Sequence, residues 1–147
     1  MNILFVCTGN TCRSPMAAAL MRRALDMRGR VDIIIESAGL SAYGQQACPN
    51  AIQAITELDE KYAPSLGKHI SMGVTAEQLK HSDIIAVMTK SHAAAVIERG
   101  ARPDKVHILT SNGGAGIADP YGGDIDTYRS TRDQLKDAVE ALAASIC

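Results

Sequence analysis

Aromatic side chains are almost missing from this chain of 147 residues: no tryptophan, one phenylalanine and four tyrosines, 3% in all. That scarcity removes the stacking platforms on which single-stranded nucleic acids are bound. It also predicts an aliphatic, alanine-rich core with closely packed helices. An excess of one charge is missing too. Fifteen Lys and Arg stand against sixteen Asp and Glu, for a net charge of −1. No basic surface is left to hold nucleic acid or an anionic membrane, so neither is expected as a partner. Cysteine is sparse: Cys7, Cys12, Cys48 and Cys147. They form no C-x-x-C pair and no Cys/His spacing of a zinc site, so no metal is expected, and they are too few for a disulfide-stapled secreted scaffold. No apolar run approaches the ~18 residues of a membrane span. Met1-Asn2-Ile3-Leu4 lacks the charged start of a signal peptide, which makes the cytoplasm the expected compartment.

What is present suits one globular unit. The length fits a single domain over residues 1–147, and 46% apolar residues suffice for one core. Ile3-Leu4-Phe5-Val6 has no polar alternation, as in a strand buried on both faces. A polar turn from Cys7 to Arg13 follows. Ser14 as cap and Pro15 as first helical residue then open a helix to about Arg28, with Gly29 as its stop. Further strands are expected over 31–35, 84–88 and 106–109. Helices are expected from Pro49 through Leu58, over 75–81 with Thr75 and Gln78 as a capping box, and from a Ser91 cap to Gly100. Residues 37–48 read as a loop, 63–73 as turn-rich, and 111–123 as a glycine-rich loop. In the last helix Tyr128, Leu135, Val139, Leu142 and Ile146 share one face. Such alternation predicts an α/β fold, an open parallel sheet with helices on both faces. Ligands of that fold bind at the carboxyl ends of strands, here the loops from Cys7, Ser37, Thr89 and Thr110.

The first of these loops carries the chemistry. Cys7-Thr8-Gly9-Asn10-Thr11-Cys12-Arg13-Ser14 places an Arg six residues after a Cys, between a buried strand and a helix N-terminus. Inward N–H groups and the positive helix end hold a phosphate-like dianion. Arg13 can clamp two of its oxygens in a fork that Lys cannot form. Cys7 at the floor is the candidate nucleophile, and Ser14 can donate to its sulfur. Gly9 permits a left-handed turn, which Asn10 also tolerates. A second candidate is Asp119, in Asp119-Pro120-Tyr121-Gly122-Gly123. An acid on such a loop can protonate a leaving group and then activate water.

These residues resemble the low-molecular-weight protein tyrosine phosphatase family over essentially the whole chain. The resemblance rests on Cys7 through Pro15, Ser37-Ala38-Gly39, His69 with Ser71, Ser82-Asp83 with Met88, and Asp119-Pro120. It implies a four-stranded parallel sheet with a phosphate-binding loop after strand 1 and no cofactor. It also implies phosphorylated proteins or peptides as substrates and a cysteinyl-phosphate intermediate on Cys7. Arg13 and the loop residues Thr8, Gly9, Asn10, Thr11, Cys12 and Ser14 would bind phosphate, with Asp119 as acid and base. Asn10 and Ser14 would shape the loop, with Ser37 and His69 behind them.

One position departs from the tyrosine phosphatases. They usually carry Ile or Leu where this chain has Thr11, at the entrance beside the leaving group. Together with the Asp-Pro-(aromatic)-Gly-Gly loop, this resembles the bacterial arginine-phosphatase branch. Phosphoarginine is a planar cation on a thin stem, and its P–N bond needs a proton on nitrogen. Asp119 can bind that guanidinium and supply the proton, and Thr11 can hydrogen-bond or place water. A phosphotyrosine slot is walled by rings, whereas here only Tyr121, and more loosely Tyr43, is available. Tyrosine phosphatase is the alternative activity. An arsenate reductase on this fold would need relay cysteines after the third strand, and residues 80–100 have none. A phosphocarrier would hold phosphocysteine without hydrolysis, which the Arg13 and Asp119 pair does not suit. A binding module would not need Cys7. A reversible Cys7–Cys12 disulfide is expected to protect the nucleophile, with Cys48 and Cys147 incidental.

Overall fold

The apolar runs become strands because each can be buried on both faces only inside a parallel sheet. The computed structural model of the protein describes residues 1–110 and 116–147. Strands β1 (Asn2–Cys7), β2 (Ile34–Gly39), β3 (Ile84–Val87) and β4 (Val106–Ile108) form one sheet in the order β2-β1-β3-β4, with every pairing parallel. The helices are α1 (Arg13–Met27), α2 (Pro49–Leu58), α3 (Ala63–Gly67), α4 (Ala76–His81), α5 (Lys90–Glu98) and α6 (Ile125–Ile146). Of the loop expected over 111–123, residues 111–115 lie outside the described residues.

Side chains alternate across the strands and build two cores. Ile3, Phe5 and Cys7 of β1 join Ile84 and Ala86 of β3 on the face covered by α1, α2 and α6. Leu4 and Val6 join Ile85 and Val87 on the other face, with Leu79 of α4 and Val96 of α5. In α6, Tyr128, Leu135 and Val139 are buried as their spacing required. The cap at Asp124, which accepts from the Thr127 N–H, starts that helix.

Four local expectations are corrected. The second strand begins at Ile34, not Val31, which is 83% exposed. The guanidinium of Arg22 holds the carbonyls of Arg30 and Ile33, so the chain before Ile34 stays bound to the end of α1. Ser37, Ala38 and Gly39 belong to the strand rather than to a loop, because the ladder continues until Gly39 lies beside Cys7. Thr89, not Ser91, caps α5, accepting from the His92 N–H. The turn-rich stretch contains the short helix α3, introduced by a 3₁₀ turn over Glu60–Tyr62.

After β1 the chain passes to β2 on one side, then to β3 on the other. The reversal opens a crevice at the carboxyl ends of β1 and β3, where open α/β sheets bind ligands. Gly39 closes the back of that crevice. A Cβ there would stand 2.8 Å from the Thr8 carbonyl oxygen and 3.0 Å from the Asn10 nitrogen. Gly73, its bridge partner, has no atom within 4 Å of the same construction. Gly39→Ala is therefore expected to cost about 1–3 kcal/mol by overpacking against backbone. Gly73→Ala should stay within about 0.5 kcal/mol. Urea unfolding of both variants checks the contrast.

Candidate active site

The pleat of β1 turns Cys7 toward α1, and the loop from Thr8 to Cys12 returns the chain to the start of that helix. Ser14 does not cap it. The helix begins at Arg13, Cys12 is its N-cap without a side-chain bond, and the Ser14 hydroxyl turns inward. Its oxygen lies 3.0 Å from Cys7 Sγ, and the Asn10 N–H donates to the same sulfur at 3.3 Å. The Asn10 amide already donates to the Ser14 oxygen, so the Ser14 hydroxyl proton is free to point at the sulfur. The α1 N-terminus adds its unpaired first-turn N–H groups and positive dipole end.

Asn10, not Gly9, takes the left-handed conformation, with φ at 56°. The side chain is fully buried and every polar atom is used. Its Nδ2 donates to Ser14 Oγ at 2.8 Å and to Ser37 Oγ at 3.0 Å. Its Oδ1 accepts from the Met72 N–H at 3.0 Å, and its carbonyl lies 2.7 Å from His69 Nε2. Ser37 and His69 thus both contact Asn10, one through its side-chain amide and one at its backbone carbonyl.

Arg13 is 5% exposed although charged. One guanidinium nitrogen donates to the Ile117 carbonyl at 2.9 Å, and another lies 3.7 Å from Asp119 Oδ2. Ile117 is itself held by its N–H on the Met88 carbonyl, at the end of β3. Arg13 therefore ties the loop after β1 to the segment carrying Asp119. Asp119 Oδ1 accepts from the Tyr121 N–H at 3.0 Å, which leaves Oδ2 facing the loop. The cleft between them measures about 310 Å³. Cys7, Thr8, Gly9, Thr11, Cys12 and Arg13 line it on one side, Asp119 and Tyr121 on another, and Ser41, Tyr43 and Gln45 on the third. Tyr43 and Tyr121 stand at the rim, 81% and 74% exposed. Such a site can hold a tetrahedral dianion over a sulfur, with a carboxylate opposite for proton transfer.

Three neighbours escaped the sequence reading. His92 of α5 is buried, and its Nε2 lies 2.8 Å from Thr8 Oγ1 while Nδ1 lies 3.1 Å from Thr89 Oγ1. The Thr89-x-x-His92 spacing at a helix start was the available signal. Burial, and then the Arg13 charge, lower the His92 pKa below its ordinary 6.5, against a smaller opposing effect of Asp119. Tyr128 of α6 brings its hydroxyl to 3.4 Å from Cys12 Sγ. Cys48 donates its N–H to the Thr11 carbonyl at 2.9 Å, whereas Cys147 is exposed at the end of α6. No spacing in the sequence announces the approach of Cys48 to the loop.

Comparison with known proteins finds relatives over nearly the whole chain. A family described as low molecular weight phosphotyrosine protein phosphatase matches residues 2–147. The protein-arginine-phosphatase of Bacillus subtilis (strain 168) is similar at 38% identity, over 99% of this chain and 97% of its own. The low molecular weight protein-tyrosine-phosphatase PtpB of Staphylococcus haemolyticus is 39% identical over 92% of each chain. A solved structure of the YwlE arginine phosphatase, a Cys-to-Ser mutant with a phosphorylated active-site serine, superposes with a TM-score of 0.88. It is 36% identical and covers 99% of this chain and 95% of its own.

His92 gives the site a pH signature. Its proton is held more weakly in the folded protein than in the unfolded chain, so the unfolded state binds more protons below about pH 6.5. Stability should fall as the pH drops through that value, and His92→Gln should make the fall shallower. Urea midpoints of both proteins between about pH 7 and about pH 5 measure the difference. Parallel curves would exclude a contribution from His92.

Proposed function

The chain belongs to the low molecular weight phosphotyrosine protein phosphatase family, and from that premise we propose that it dephosphorylates protein phosphoarginine through a cysteinyl-phosphate intermediate. Phosphorylated proteins or peptides are its substrates and the cytoplasm its place of action. Among the described residues no helix is long and apolar enough to cross a membrane.

The reaction follows from the cleft. Cys7 attacks phosphorus in line, with the negative sulfur supported by the Ser14 hydroxyl and the Asn10 N–H. Arg13 and the loop N–H groups carry the equatorial oxygens. As the P–N bond breaks, Asp119 protonates the departing nitrogen through the oxygen that faces the loop. Arginine leaves as a guanidinium cation beside the new carboxylate. That carboxylate then takes a proton from water, the water oxygen bonds to phosphorus, and the P–S bond returns its electrons to Cys7.

The observation that carries the arginine reading is Thr11. Its side chain lines the cleft, with Oγ1 3.6 Å from Cys12 Sγ, and offers a hydroxyl where a phenyl group would want a hydrocarbon wall. A guanidinium leaving group is a pure donor, and Thr11, Gln45, Ser41 and Asp119 supply acceptors around it. The similarity to a protein-arginine-phosphatase supports the same choice. Phosphotyrosine is the second reading, favoured by the rings of Tyr43 and Tyr121 at the rim and by the similarity to PtpB.

Turnover of phosphoarginine and phosphotyrosine peptides separates the two. Wild type should prefer phosphoarginine. Thr11→Ile should move the kcat/KM ratio toward phosphotyrosine by about tenfold or more, the scale of one leaving-group contact. Asp119→Ala should lower kcat by about 10²–10⁴, the range of a lost general acid. Cys7→Ser should abolish turnover. A wild type preferring phosphotyrosine, with a ratio insensitive to Thr11→Ile, would overturn the arginine assignment, and activity surviving in Cys7→Ser would overturn the mechanism.

A further inference from the structure

Cys48 is the N-cap residue of α2, and its N–H donates to the Thr11 carbonyl at 2.9 Å. That bond fastens the start of α2 to the phosphate loop, directly beside Cys12. It brings the Cys48 backbone against that of Cys12, whose thiol touches the hydroxyls of Thr11 and Tyr128. Cys12 is 4% exposed, whereas Cys48 is only half-buried. Cys7 and Cys12 both line the cleft, and Cys48 stands outside that lining, fastened to the loop through Thr11. Three thiols thus lead from the floor of the site to the surface.

We infer that Cys48 is a resolving thiol, which takes the disulfide over from Cys7 so that oxidation ends in a Cys12–Cys48 bond and leaves the nucleophile free. The inference rests on Cys7 being the nucleophile. A peroxide oxidises the Cys7 thiolate to a sulfenic acid and departs as hydroxide. Cys12 attacks that sulfur, its proton leaves with the sulfenic oxygen as water, and a Cys7–Cys12 disulfide forms. The Cys48 thiolate then attacks Cys12 Sγ, the Cys7–Cys12 bond breaks, and its electron pair returns to Cys7. One hydrogen peroxide and two thiols become two waters and one disulfide.

The local chemistry favours this direction. Contact with the Cys12 thiol first, then the hydroxyls of Thr11 and Tyr128, outweigh burial and lower the Cys48 pKa to about 6. The neighbouring Cys48 and burial push the Cys12 thiol up. The departing Cys7 sulfur is received by Ser14 and the Asn10 N–H. The final disulfide includes the accessible sulfur, where an external dithiol can reduce it.

The test is a pulse of hydrogen peroxide, quenched with catalase, followed by activity measurement without reductant and disulfide mapping by mass spectrometry. Wild type, Cys48→Ser and Cys7→Ser are compared. Wild type should map to Cys12–Cys48 and regain activity after the quench. Cys48→Ser should match wild type before oxidation, map to Cys7–Cys12 afterwards, and recover at least about tenfold more slowly until dithiothreitol is added. Cys7→Ser should form Cys12–Cys48 much more slowly, because the first oxidation is lost. Equal recovery in wild type and Cys48→Ser, or a wild-type map with Cys7–Cys12 alone, would overturn the inference. Equally fast Cys12–Cys48 formation in Cys7→Ser would overturn the relay. Failure of the parent mechanism is read separately, as turnover of unoxidised Cys7→Ser.

Discussion

A loop that holds a dianion must aim its backbone N–H groups at one point, and an L-residue chain bends that way only by leaving the ordinary backbone regions. Here the bend falls on Asn10, and most of the surrounding structure exists to keep it there. A left-handed residue other than glycine is uncommon, and Asn tolerates it best. The conformation is over-determined by Ser14 and Ser37 on one end of the amide, the Met72 N–H on the other, and His69 on the carbonyl. These partners come from α1, from β2 and from the segment between α3 and α4. The loop is therefore held by tertiary structure and not by its own sequence, and it stays shaped before phosphate arrives. Pre-organisation of this kind avoids reorganisation at the moment of reaction.

The same economy appears at Arg13. A buried guanidinium with no partner would be costly, and the Ile117 carbonyl and Asp119 supply partners before substrate does. The bond to Ile117 fixes the segment that carries Asp119, so Arg13 also sets the distance between that carboxylate and the loop. Ile117 in turn hangs from Met88 at the end of β3. The two halves of the site thus descend from β1 and β3, adjacent strands that meet where the sheet reverses its order.

Much of this was legible because it is local. Cys7, Arg13 and the helix start share one short stretch, and the Thr75 capping box appears as its spacing required. The corrections concern competition between local and tertiary partners. Ser14 has the side chain of a cap, yet a buried sulfur and the Asn10 amide claim it. Ser37 to Gly39 look like a loop in sequence, yet the ladder with β1 extends them into strand. Thr89 and Ser91 are both able to cap α5, and only the backbone angles at the end of β3 decide for Thr89. The contacts that His92, Tyr128 and Cys48 make with the loop were hidden for a different reason. Each reaches the loop across a long separation in the chain, and no periodicity records which side chains will meet.

In the proposed reaction the loop backbone and the buried Arg13 hold phosphate, whereas the leaving group meets side chains that shape little else. Thr11, Ser41, Tyr43, Gln45 and Tyr121 line the mouth without joining either core. A change among them alters what departs from phosphorus and leaves the loop, its Asn10 bend and the Arg13 anchor in place. One scaffold can therefore serve an aromatic oxygen or a guanidinium nitrogen as leaving group, at little cost in stability. The shortage of aromatics fits that division. The cores close with aliphatic residues and alanine, and the two rings that face the cleft stand in solvent at its rim. There they can stack on a flat cation, but they do not enclose a phenyl group.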